Sequence, residues 1–185
     1  MTGILGALIG SFRRSAQPAY EHIATTTLGA SATVVEFAGL DTYSADYKHL
    51  QIRYSGKSTT TSNELNLRFN GVTTAVYARH SLEAVGSSPG ANYDSVKSEI
   101  LLDLAISRST TANAFSGGII DILDAFSTTK NTTVKGLSGL VDASTAIAIQ
   151  SGLFVNTASI ITITFFPSSQ SIAVGSRFSI YGIRG

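Results

Sequence analysis

Apolar side chains recur along this chain with two different periods. Over residues 3–16 they stand at Ile4, Leu5, Leu8, Ile9 and Phe12. Spacings of three and four place these five on one face of a helix. Thr2 is positioned to cap its start, and Pro18 stands just past its end, where a helix stops. Gly3, Gly6 and Gly10 each cost such a helix about 1 kcal/mol relative to Ala, and a helix this short is marginal alone in water. The stripe therefore predicts a short amphipathic docking helix within residues 1–18. Its apolar residues would seat on a partner protein or in an oligomer core, with the glycines permitting close approach.

From about residue 20 the period becomes two. Leu65, Leu67 and Phe69 alternate with Asn66 and Arg68; Leu50, Ile52 and Tyr54 alternate with Gln51 and Arg53; Ile161, Ile163 and Phe165 alternate with Thr162 and Thr164. Each run predicts a strand with one buried and one polar face. Further strands are predicted over 20–27, 32–37, 75–82, 99–106, 114–123, 132–138, 146–155 and 177–183, all rich in residues that suit a pleated, half-buried surface. Turn chemistry marks Leu28-Gly29-Ala30, Asn70-Gly71 (a hairpin signal) and Ser138-Gly139. Two longer loops are expected, over 56–63 and 83–98. Many short strands at regular spacing, with no internal repeat, predict an all-β domain over residues 19–185: an antiparallel, jelly-roll-like β-sandwich.

Composition narrows the function classes. Only 14% of the 185 residues are charged, against about 25% in an average soluble domain. Hydroxyls take their place, with 25 Ser and 21 Thr. The net charge of +1 and the lack of any basic run longer than Arg13-Arg14 argue against a nucleic-acid partner. With no Cys there is neither a disulfide framework nor a thiolate metal site. The apolar stretch Ile4–Phe12 is too short to span a bilayer, which takes about 20 residues, and its arginines follow rather than precede it, unlike a signal peptide. A soluble chain made in a cytoplasm, without membrane insertion, is expected.

The candidate chemistry is sparse. Ser55-Gly56-Lys57-Ser58-Thr59 has the tail of a phosphate-binding loop, but position 51 is Gln51 where the pattern needs Gly, and the segment joins two strands. His22, His49 and His80 are the only histidines, and no nucleophile-elbow pattern accompanies them. Asp121 and Asp124 could share a cation or an acid–base role only if a turn brought them together, since three apart on a strand means opposite faces. Asn131-Thr132-Thr133 fits a glycosylation sequon without any sign of secretion. In the 83–98 segment, Asn92, Tyr93 and Asp94 form the best candidate for a glycan contact. No cofactor, metal or catalytic residue is expected.

Several ordered segments resemble a family. Ala19-Tyr20-Glu21-His22-Ile23-Ala24-Thr25, Tyr47-Lys48-His49-Leu50-Gln51-Ile52-Arg53, Leu67-Arg68-Phe69-Asn70, Ile120-Asp121-Ile122-Leu123-Asp124 with Lys130, Ser151-Gly152-Leu153-Phe154 with Asn156-Thr157-Ala158, and the terminal Phe178-Ser179-Ile180-Tyr181-Gly182-Ile183 resemble virion structural proteins of tailed bacteriophages. The resemblance covers about residues 19–183. It implies a non-enzymatic tail fibre or tail appendage, jelly-roll-like and homotrimeric, assembled in the host bacterial cytoplasm. Residues 3–16 would then dock it onto other virion proteins, and its loops would meet host surface glycans. A capsid decoration or cement protein is the alternative. A surface-polysaccharide hydrolase is more remote; it would need a carboxylate pair from Asp94, Glu99, Asp121 and Asp124 placed across a groove.

Overall fold

The computed structural model describes residues 18–61, 64–102, 105–106, 112–140 and 145–185. The docking stripe Ile4, Leu5, Leu8, Ile9 and Phe12 lies outside them. The described chain is all-β, with two antiparallel sheets enclosing one core in the manner of a β-sandwich. The strands in chain order are β1 (Tyr20–Thr27), β2 (Val35–Phe37), β3 (His49–Gly56), β4 (Leu65–Phe69), β5 (Tyr77–Val85), β6 (Ser88–Lys97), β7 (Ile100–Leu102), β8 (Ser116–Leu123), β9 (Thr132–Leu140), β10 (Ala146–Phe154), β11 (Ile163–Pro167) and β12 (Arg177–Ile183). A single 3₁₀ turn, Leu40–Tyr43, precedes β3. The large sheet runs β1-β12-β3-β8-β9-β10-β5-β6, and the small one β2-β11-β4-β7.

Alternation explains the core. Leu50, Ile52 and Tyr54 of β3, Ile120 and Ile122 of β8 and Phe178 and Ile180 of β12 face Leu65, Leu67, Phe69, Ile163 and Phe165 of the small sheet, all of them buried. Two aromatic clusters join the sheets. Phe165 meets Phe178 at 5.3 Å between ring centroids; Phe69 and Tyr77 both pack on Phe154, at 5.5 and 4.8 Å. The hydroxyl of buried Tyr77 accepts the Phe69 N–H at 3.1 Å and lies within reach of the carbonyls of Phe69 and Val72. Burial pushes that phenol's pKa up, so it stays a neutral donor and acceptor.

Three expectations are corrected. Residues 83–98 are not a loop. They are the end of β5, a turn at Gly86-Ser87 and the whole of β6, paired from Val85↔Ser88 to Tyr77↔Lys97. Gly86 supplies the left-handed residue (φ 58°) that a two-residue hairpin turn requires. Ser138-Gly139 is not a turn either: β9 continues through it to Leu140. Asn70-Gly71 does turn, both residues at positive φ, but closes no hairpin. It carries the chain from β4 in the small sheet to β5 in the large one. The Asn70 side chain fixes this crossing, accepting the N–H of Ile161 (2.7 Å) and Thr162 (3.1 Å) and donating to the Ser159 carbonyl.

Candidate functional site

The strand β10 has an inverted face. Its inward residues are Ala146, Ala148, Gln150, Gly152 and Phe154; its outward ones include Ile147 and Ile149, which are 52% and 60% exposed. A one-residue slip would exchange these sets, but it would expel Phe154 from the aromatic cluster. It would also turn a larger side chain onto Ile100, whose Cδ1 already lies 2.8 Å from where a Cβ on Gly152 would stand. Packing on the inside therefore forces the isoleucines out.

The neighbouring strands extend this exposure into a ladder. Arg53↔Ile119, Ile119↔Leu137, Leu137↔Ile149, Ile149↔Leu82 and Leu82↔Ala91 are successive cross-strand partners from β3 to β6. Ile119, Leu137, Ile149 and Leu82 are all exposed. The next row reads Gly117, Gly139, Ile147, Ala84 and Pro89. Its two glycines leave an apolar trough of about 370 Å³ beside Ile119, Leu137 and Ile147. On the other flank the row is polar: Asp121, Lys135, Ser151, His80 and Tyr93. Contiguous exposed apolar patches above a few hundred Å² are uncommon on monomers and mark interaction surfaces.

A second feature is a polar cleft of about 410 Å³ at the edge, lined by residues including Asn66, Asp94, Lys97, Glu99, Phe166 and Ser168. Its charges are paired. The Arg79 Nε donates to Asp94 at 2.6 Å and Lys97 lies 3.2 Å from the same carboxylate; Arg68 donates to Glu99 at 2.9 Å and sits over the Phe166 ring. Burial pushes the Asp94 carboxyl up, but the hydrogen bonds from Arg79 and Lys97 outweigh it and hold the pKa below the usual carboxylate value. A depressed pKa contributes stability in full above the unfolded value, about 3.9, and loses it as pH falls through the folded value. Asp94→Asn should therefore lower the melting temperature at pH 7, with the gap to the wild type closing below about pH 4. Melts followed by circular dichroism from pH 7 to 2 check this; a gap independent of pH would refute it.

The structure separates the three glycan candidates. Asn92 and Asp94 lie on one face of β6, bonded to Glu83 and Arg79. Tyr93 points to the other face, cross-strand from His80 and 78% exposed. Adjacent strand residues face opposite ways, so the three form no single patch. Asp121 and Asp124 are likewise apart. Asp121 accepts from Gln51 on the outer sheet face at 2.7 Å. Asp124 sits beyond the strand at φ 51°, paired with Lys130 at 2.8 Å; that hydrogen bond lowers its pKa. His49 accepts the Asp124 N–H, and His22 bonds Thr25. Ser58 is buried in the connection after β3. Among the described residues, no three His, Asp or Glu side chains come together as a metal site would require.

The ladder was not visible in the sequence, although one signal pointed to it. The alternation Ala146-Ile147-Ala148-Ile149 followed by Phe154 cannot bury both its isoleucines and its phenylalanine, because 147 and 149 are odd and 154 is even. No family model matches the chain, and no curated protein does. Among solved structures, a protein of unknown function from Shewanella oneidensis MR-1 is similar at 10% identity and a TM-score of 0.27, over 89% of this chain and 75% of that one.

Proposed function

We propose that this chain is a structural subunit of a bacteriophage virion that acts by assembly. The observation that carries the assembling role is the inverted face of β10 with its ladder, a broad apolar surface that a partner would cover. The phage assignment rests on the ordered segments that resemble virion proteins. Phe178, Ile180, Tyr181 and Gly182 of the terminal motif all lie in β12, next to the strand pair β1 and β3 that holds two further segments. In this reading residues 3–16 dock the subunit onto other virion proteins. The body is a jelly-roll-like sandwich, and the site is a tail fibre or appendage. Tyr93 is the residue left to meet a host glycan.

Gold-labelled antibody against the chain, imaged on intact particles, tests the reading. Label at the tail is the expected result; label over the head would make it a decoration protein; unlabelled particles, with a control showing that the antibody works, would overturn it. Deleting residues 2–16 should leave a folded domain that no longer enters particles. Normal incorporation of the truncated chain would remove the docking role.

A further inference from the structure

The outer face of β8, β9, β10 and β5 matches itself. A two-fold axis running along the strands between β9 and β10 exchanges β9 with β10 and β8 with β5. Residues in one cross-strand row then meet residues of the same row in the second copy. Leu137 comes over Ile149, and Lys135 over Ser151. In the third row Ile147 comes over Gly139. A projecting isoleucine thus enters the trough that the glycines leave, twice per pair. Facing sheets pack about 10 Å apart and near −30°, so this correspondence holds close to the axis, where these three matches lie. Farther out, Ile119 faces the β5 segment that carries Leu82 and Ala84.

The size of the face fits a second copy. Six strands from β3 to β6, at about 4.8 Å each, by the nine residues of β9 and β10, at about 3.4 Å each, span roughly 29 by 31 Å, or about 880 Å². A standard stable interface takes about 800 Å² per partner. The Leu137 and Gly139 rows carry no charge from β8 to β5; Arg53 stands out at β3, and Lys135, cross-strand from Asp121, belongs to the polar row that flanks them, a separation of apolar centre and polar surround that interfaces show.

We propose that this face is an isologous interface between two copies of the chain, with Ile147 of each seated on Gly139 of the other. The inference rests on the assembling role above and names the partner of that surface. The resemblance implies three copies; a face self-complementary about a two-fold axis joins them in pairs.

Light scattering coupled to size exclusion, on the full chain, tests it. The expected mass is twice the 19.3 kDa of one chain. Gly139→Val is the discriminating variant. A Cβ there meets nothing closer than the Ala146 carbonyl at 3.7 Å, so the subunit folds, but the trough is filled. Its mass should fall to that of one chain with the melting curve of a folded domain retained. Gly139→Val combined with Ile147→Ala should recover the pair, since each change offsets the other across the axis. A wild-type mass of one or three chains, or a Gly139→Val mass unchanged at two, would overturn the interface. Neither result bears on gold labelling of particles, so failure of the pair and failure of the virion reading are read separately.

Discussion

Phe154→Ala is expected to lower the free energy of unfolding by about 3–5 kcal/mol, the range for removing a buried aromatic ring. For a chain of this size that is a fall in melting temperature of roughly 6–20 °C, at about 2–4 °C per kcal/mol. The ring is fully buried and stacks on Tyr77 at 4.8 Å with planes 19° apart. It also touches Phe69 of the small sheet, so its loss opens a cavity at the junction of the two sheets. The neighbours are poorly placed to collapse into that space. Tyr77 is tied through its hydroxyl to the backbone of the 69–72 turn, and Phe69 is held in β4 between β7 and β11. Urea denaturation measures the change. A loss below about 1 kcal/mol would show that the trio does not bridge the sheets.

Gly182→Val should be nearly as damaging for the opposite reason. Gly182 lies in β12 between β1 and β3, and the space its Cβ would occupy is filled by the Tyr47 ring. Overpacking of this kind costs typically about 1–3 kcal/mol and occasionally more, and the upper end applies here because Tyr47 has no free direction in which to move. It is 6% exposed. Its hydroxyl donates to Glu21 at 2.7 Å, a bond that raises the phenol's pKa, and the Arg184 guanidinium lies 4.9 Å from the ring centroid. At Gly139, in another strand of the same sheet, the same substitution meets only an ordinary contact with the Ala146 carbonyl at 3.7 Å. Thermal melts of the two variants should therefore diverge, with a large drop for Gly182→Val and a small change for Gly139→Val. A Gly182→Val chain with the wild-type melting temperature would contradict the close packing of Tyr47.

These two positions also show why parts of the chain were legible and others were not. Phe154 ends an apolar run, and Gly182 sits in the terminal run Phe178-Ser179-Ile180-Tyr181-Gly182-Ile183. Their partners, Phe69 and Tyr47, are 85 and 135 residues away, and no local pattern announces them. The bounds predicted for β1 and β12 agree with the structure, because Tyr, Ile, Phe and Thr, which favour strands, are concentrated there. β6 escapes the sequence pattern because Pro89, Gly90, Asn92 and Asp94 are poor strand residues. As an edge strand with nearly every side chain exposed, it needs no apolar alternation and is held by its pairing to β5. The Gly86-Ser87 pair before it was the available sign of a two-residue hairpin.

The strand content apart from β6, and the buried residues of β3 and β4, follow from the sequence alone, since period two and side-chain volume are local properties. Tertiary packing sets which face of β10 is inside. There Phe154 and the close approach of Ile100 to Gly152 outweigh the hydrophobicity of Ile147 and Ile149. It likewise decided that Leu82, Ile119, Leu137 and Ile149 form one row, because register is set by hydrogen bonding between strands distant in sequence. The surface that calls for a partner is a product of that register.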